Sequence, residues 1–175
     1  MATMEDDTTI WPTMEALLKC LEGTLVERAL PECTYEIAFG QEAIIELCEE
    51  CTGQAWVRLV TGFPVDSGQG NFPEPAQGVL ERPNQQYGYQ LEVGIARPHP
   101  VPSRAEPLTV EQKTEVARLQ AADMTAIRLA ICKCFTASKK PFVLGQFSTL
   151  ALGGIVDGRW LVTVSYERDE AGWQD

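Results

Sequence analysis

Cysteines offer the first chance of chemistry in this chain. Cys48 and Cys51 enclose Glu49 and Glu50, the two-residue gap of a zinc knuckle, and Cys132-Lys133-Cys134 could supply a second pair. Four thiolates can close a tetrahedral zinc site. The one-residue gap works against it, because on a helix it turns Cys132 and Cys134 about 200° apart and points one of them away from a shared metal. As a redox couple, Cys48 and Cys51 lack the helix N-terminus and the βαβ setting that lower a thiol pKa. Small buried hydrophobes describe these residues better, so no metal and no cofactor is expected. The six cysteines read most simply as reduced thiols.

Other reactive types are sparse. The single histidine, His99, stands between Pro98 and Pro100, with no carboxylate or nucleophile spaced to make it a general base. It reads as an exposed loop residue. Glu42, Glu46, Glu49 and Glu50 crowd one short segment, but without histidine or a Glu-x-x-His pattern they read as a solvated or lumen-facing acidic face. The stretch LGQFSTLALGG, residues 144–154, has glycines but no Gly-Lys-Ser/Thr to cradle a phosphate. No catalytic constellation emerges, and the chain is not expected to be an enzyme.

Charge and composition narrow the class further. The 175 residues are 45% apolar, enough for one folded domain over 1–175, with flexible ends expected at 1–9 and 168–175. No apolar run approaches the roughly 18–20 residues that cross a membrane, and MATMEDDTTIWP has neither a basic leader nor an apolar signal core. Neither membrane residence nor signal-directed export is expected. Formal net charge is −11, and residues 1–55 hold twelve Asp/Glu against two Lys/Arg. Between Arg97 and Lys140 the balance reverses, with eight basic residues against four acidic ones. So acidic a chain should repel nucleic acid over most of its surface. The asymmetry suits head-to-tail association of like subunits, and equally two solvated faces of opposite bias.

Periodicity supplies the elements. In IWPTMEALLKCLEGTLVERALP, Met14, Leu17, Leu18, Leu21 and Leu25 form one helical stripe, with Pro12 in the first turn and Pro31 ending the pattern. CTYEIAF and QAWVRLVTGF read as strands, separated by the ambiguous QEAIIELCEECTG. A proline- and glycine-rich stretch at 63–85 reads as a long loop. In YGYQLEVGIAR, Tyr87, Tyr89, Leu91, Val93 and Ile95 share one face, while Gly88, Gln90, Glu92, Gly94 and Ala96 form a polar or closely approached one. After PHPVPSRAEP, a capping box of Thr109 and Gln112 opens a long helix. Its buried side should hold Val116, Leu119, Ile127, Ala130, Ile131 and Cys134, and it should end near Cys134 or Phe135. Residues 136–154 read as another loop. GRWLVTVSYER closes the chain as a strand with Trp160, Val162, Val164 and Tyr166 on one face. The order α-β-β-β-α-β predicts an α+β fold: one antiparallel or mixed sheet covered on one face by two helices, with long loops.

That order of elements resembles the tail terminator proteins of long-tailed, non-contractile bacteriophages. GQAWVRLVTGFP, LEVGIARP, QAADMTAIRLAICKC and GGIVDGRWLVTV, taken in sequence, look most like versions from phages of actinobacteria. The resemblance spans about residues 10–168, and order more than any single motif carries it. It implies a structural virion protein that forms a homo-hexameric ring on the head-proximal end of the tail tube. Such a ring ends addition of the major tail tube protein and joins the tail to the head connector or stopper. It is assembled in the host cytoplasm and lets DNA pass its lumen without specific binding. Under that implication Glu42, Glu46, Glu49 and Glu50 are the channel-facing candidates. The alternatives are another neck component, connector or stopper, and a cysteine-rich metal-binding α+β protein.

Overall fold

The computed structural model of the chain describes residues 10–40, 45, 52–65, 86–102, 107–152 and 154–166. In chain order these form α1 (Ile10–Glu27), β1 (Thr34–Phe39), β2 (Gln54–Val65), β3 (Gln86–Pro98), α2 (Val110–Ser138), β4 (Phe142–Leu152) and β5 (Ile155–Tyr166). The strands make one mixed sheet in the order β1-β2-β3-β5-β4, and both helices pack on the same face, giving an α+β fold.

The α1 stripe buries as its spacing dictates. Met14, Leu17, Leu21 and Leu25 are buried in the core, together with Ile10. From α2 come Ala126, Ile127, Ala130, Ile131, Cys134 and Phe135, and from the sheet Ala55, Val57, Leu91, Val93, Ile95, Val162 and Val164. The start of α2 is the expected capping box, with the Gln112 N–H donating to Thr109 Oγ1 and the Thr109 N–H donating to Gln112 Oε1. Val116 and Leu119, expected on the buried side, are only half-buried, and the buried residues of α2 begin at Asp123.

Both helices end in the same way. After α1, Ala29 adopts a left-handed conformation at φ 51°, the Ala29 N–H donates to the Val26 carbonyl and the Leu30 N–H to the Leu25 carbonyl. After α2, Lys139 does so at φ 55°, with its N–H donating to the Thr136 carbonyl and the Lys140 N–H to Phe135. These are Schellman closures, which favour glycine at the left-handed residue because a Cβ there costs about 1–2 kcal/mol. An Ala29→Gly variant is therefore expected to be more stable by about 0.5–1 kcal/mol, after the added freedom of the unfolded chain is set against the relieved strain. A urea midpoint that rises with an unchanged slope would show it, and a midpoint that falls would contradict the closure.

Three features correct or sharpen the sequence-based expectation. Residues 142–152, expected within a loop, form the edge strand β4. Phe142 and Leu144 align with Val164 and Val162, and then the register shifts so that Phe147, not Gln146, faces Trp160. Such a bulge inserts an extra residue and breaks the two-residue period by which a strand is recognised. Second, β1 pairs with β2 in parallel, from Thr34↔Gln54 to Phe39↔Leu59, which makes the sheet mixed, one of the two arrangements the sequence left open. The stretch between Phe39 and Gln54 is long enough for the crossover that a parallel pair requires. Third, α2 continues to Ser138, a turn past its expected end.

Candidate functional site

Burying a charge is tolerable only when it is paired and hydrogen-bonded, so buried ion pairs mark positions that the fold over-determines. On the helix-covered face, Arg97 projects from β3 beneath α2. Its Nε donates to Asp123 Oδ2 at 2.9 Å and its Nη2 to Oδ1 at 2.8 Å. The free Nη1 donates to the carbonyl of Pro31 at 2.8 Å and to that of Thr52 at 3.2 Å. One guanidinium thus ties the sheet, α2, the α1–β1 connection and the entry to β2. Beside it, burial pushes the Cys33 thiol up to about 11, only partly countered by the Arg97 charge.

The opposite face is not simply polar. Trp56 is fully buried there, its indole lying over Gly94, where a Cβ would come within 2.1 Å of Cζ2. The indole Nε1 donates to Glu92 Oε1 at 3.1 Å. Arg58 grips the same carboxylate through Nε and Nη2 at 3.0 and 2.8 Å, and sends Nη1 to the Gly40 carbonyl at 2.9 Å. Arg159 lies 3.5 Å from Glu92 and 2.9 Å from Asp157. Phe63 likewise covers Gly88 on this face, whereas Tyr89 covers Gly62 and Phe147 covers Gly158 on the helix-covered side. The expected close approach at Gly88 and Gly94 is real, and its partners are β2 side chains.

The two carboxyls of this cluster titrate in opposite senses. Burial raises Glu92, but hydrogen bonds from Arg58 and Trp56 and the charges of Arg58 and Arg159 outweigh it, so the group sits below its usual 4.5. Burial prevails at Asp157 over the charge and hydrogen bond of Arg159 and the bond from the Leu150 N–H, and its carboxyl is raised. A carboxylate depressed by folding lends stability above its unfolded pKa and loses it as pH falls through the folded value. A Glu92→Gln variant is therefore expected to be the less stable protein at neutral pH, and to approach the parent as pH drops below about 4.5. Urea midpoints across that range measure it; a constant gap would mean that Glu92 stays protonated in the fold.

The candidates read from sequence are mostly not assembled into a site. Glu42, Glu46, Glu49, Glu50, Cys48 and Cys51 lie outside the described residues. Cys134 is buried between α1 and α2, and burial together with the neighbouring Cys20 thiol pushes it up to about 12, which makes it a poor nucleophile or ligand. Cys132, two residues earlier, is half-exposed. Among the described residues there is no cluster of three or more His, Cys, Asp or Glu that could hold a metal. His99 is half-exposed, and its backbone N–H donates to the Gly154 carbonyl at 2.6 Å. No helix among the described residues is long and apolar enough to cross a membrane.

What the arrangement presents instead is surface. Strand β4 is open along its outer side among the described residues, and Val143 and Leu150 stand 42% and 51% exposed. At the other end of the sheet, Phe39 of β1 is exposed on one side and stacked on Trp11 of α1 at 5.8 Å. The ion-pair residues were missed from sequence, although a signal existed. Arg58 within AWVRLV, Glu92 within QLEVGIA and Arg97 are charges set in strands whose other residues want burial. Comparison with models of known protein families, and with curated proteins, finds no match to this chain.

Proposed function

We propose that the chain is a non-catalytic structural subunit of a phage virion, a tail terminator. Copies form a ring, hexameric by the resemblance, on the head-proximal end of the tail tube. The ring stops addition of the major tail tube protein and offers its other annular face to the head connector or stopper. A closed ring suits this task because each modest subunit contact is repeated about one axis while the two faces bind different partners. The net charge of −11 fits a lumen through which DNA slides, since cationic contacts to phosphate would hold it.

The observation that carries the proposal is the sheet. Five strands roofed on one side by two helices, in the order α-β-β-β-α-β-β, keep the element order of the resemblance with one further strand, β4. Buried ion pairs tie β2 to β3 on one face and β3 to α2 on the other, which suits a subunit repeated about an axis. Purified chain mixed with growing tail tubes and viewed by negative stain tests it. Capped tubes of fixed length are expected; tubes that stay uncapped and keep elongating would end the proposal.

A further inference from the structure

An exposed edge strand is a template for pairing, and soluble proteins guard such edges with charges, proline, brevity or a covering segment. Strand β4 has little of this protection. Its eleven residues, FVLGQFSTLAL, contain no charged residue and no proline, in a chain that is 22% charged. Most of its described side chains are exposed, and no strand among the described residues pairs with its outer side. The bulge between Leu144 and Phe147 is its one irregularity, and it leaves the run from Phe147 to Leu152 regular.

The complementary edge is on the same molecule. β1 ends the sheet on the far side. Following the pairings across the sheet, β1 runs with β2, against β3, with β5 and against β4. If the sheet of one copy continues into the next, β4 therefore meets β1 of its neighbour as an antiparallel pair. Charge favours the same union. α1 roofs the β1 end, and residues 10–39 hold five Glu against two Lys/Arg, a net of −3. α2 roofs the β5 end, and residues 110–140 hold six Lys/Arg against three Asp/Glu, a net of +3. Like copies meeting edge to edge by the same strand, β4 to β4, would bring two positive roofs together.

We infer that β4 of one copy pairs antiparallel with β1 of a second copy, head to tail, and that this seam joins the subunits. Closure of the seam into a ring rests on the function proposed above, whereas the pairing itself can be tested without tail tubes. Main-chain hydrogen bonding supplies the attraction, as in strand addition generally. The opposed roofs orient it, and salt weakens that contribution, since screening at physiological ionic strength acts beyond about 8 Å.

Sedimentation of the full chain over a concentration series, with hydrogen exchange at its two ends, tests the seam. Assemblies larger than two are expected, weakened by salt, with slowed amide exchange in both β1 and β4. A Val143→Lys, Leu150→Lys double variant changes exposed positions only and should raise the dissociation constant on the order of tenfold or more. Should that variant melt early, Thr149→Lys places a charge at an exposed polar site of the same strand. A chain that stays monomeric throughout overturns the inference, as does a dimer protected in β4 alone, or a variant that associates like the parent. Head-to-tail association without capped tubes would instead remove the terminator role and leave the seam standing. Capped tubes with unaffected lysine variants would do the reverse.

Discussion

An Asp123→Ala variant is expected to lose about 3–5 kcal/mol of folding stability, the usual cost of stripping one partner from a buried ion pair. Arg97 is only 4% exposed, and its guanidinium would be left with two neutral carbonyls, Pro31 and Thr52, and no anion. Those carbonyls satisfy donors but do not neutralise a desolvated charge. The melting temperature should fall by about 6–20 °C at this chain length. Damage should also spread, because Arg97 joins α2 to the α1–β1 connection and to the entry of β2. The nearby bond from the Thr34 N–H to the Gly53 carbonyl, 3.0 Å, should exchange its proton faster than in the parent. An Arg97→Met, Asp123→Leu double variant should recover much of the loss, since an apolar pair of similar volume carries no desolvation cost. A single-variant loss below about 1 kcal/mol would show that the pair is solvated and does not join the layers.

Trp56→Ala is expected to cost about 3–5 kcal/mol, the range for emptying a buried tryptophan site, and to remove one donor from Glu92. Its more discriminating companion is Gly94→Ala. With a Cβ 2.1 Å from Cζ2 and 2.4 Å from Cε2, the indole must move from a place where its Nε1 is already tied to Glu92. Overpacking of this kind costs about 1–3 kcal/mol, occasionally more. In the Trp56→Ala background the same methyl enters vacated space and should be nearly neutral. The double-mutant cycle therefore has a large coupling, measured by urea unfolding of the four proteins. Strictly additive losses would mean that the indole does not lie over Gly94.

Much of this architecture is legible in particular residues. Leucines at three- and four-residue steps specify α1, and Thr109 with Gln112 specifies the start of α2, because capping and amphipathicity are local. The alternation in YGYQLEVGIAR separates the faces of β3, and its glycines announce that something large approaches. What approaches could not be read, since Trp56 is 38 residues from Gly94 in the chain and meets it through strand pairing. The same holds for Arg58 with Glu92 and for Arg97 with Asp123. Each charge is visible as an anomaly in an apolar setting, and its partner is supplied from another element. β4 was hidden for a different reason, because its bulge interrupts the period and its glycine and small polar residues mimic a loop.

By itself the sequence determined the α+β class, both helices, four of the five strands and the sense of their core faces. Each of these follows from hydrophobic period and end signals within a few turns of chain. Tertiary structure alone decided the parallel β1–β2 pair, the edge strand β4, the glycine-covering aromatics and the choice of ion-pair partners. Pairing and burial join residues far apart in the chain, and the free energy that selects one partner over another exists only once both are desolvated together.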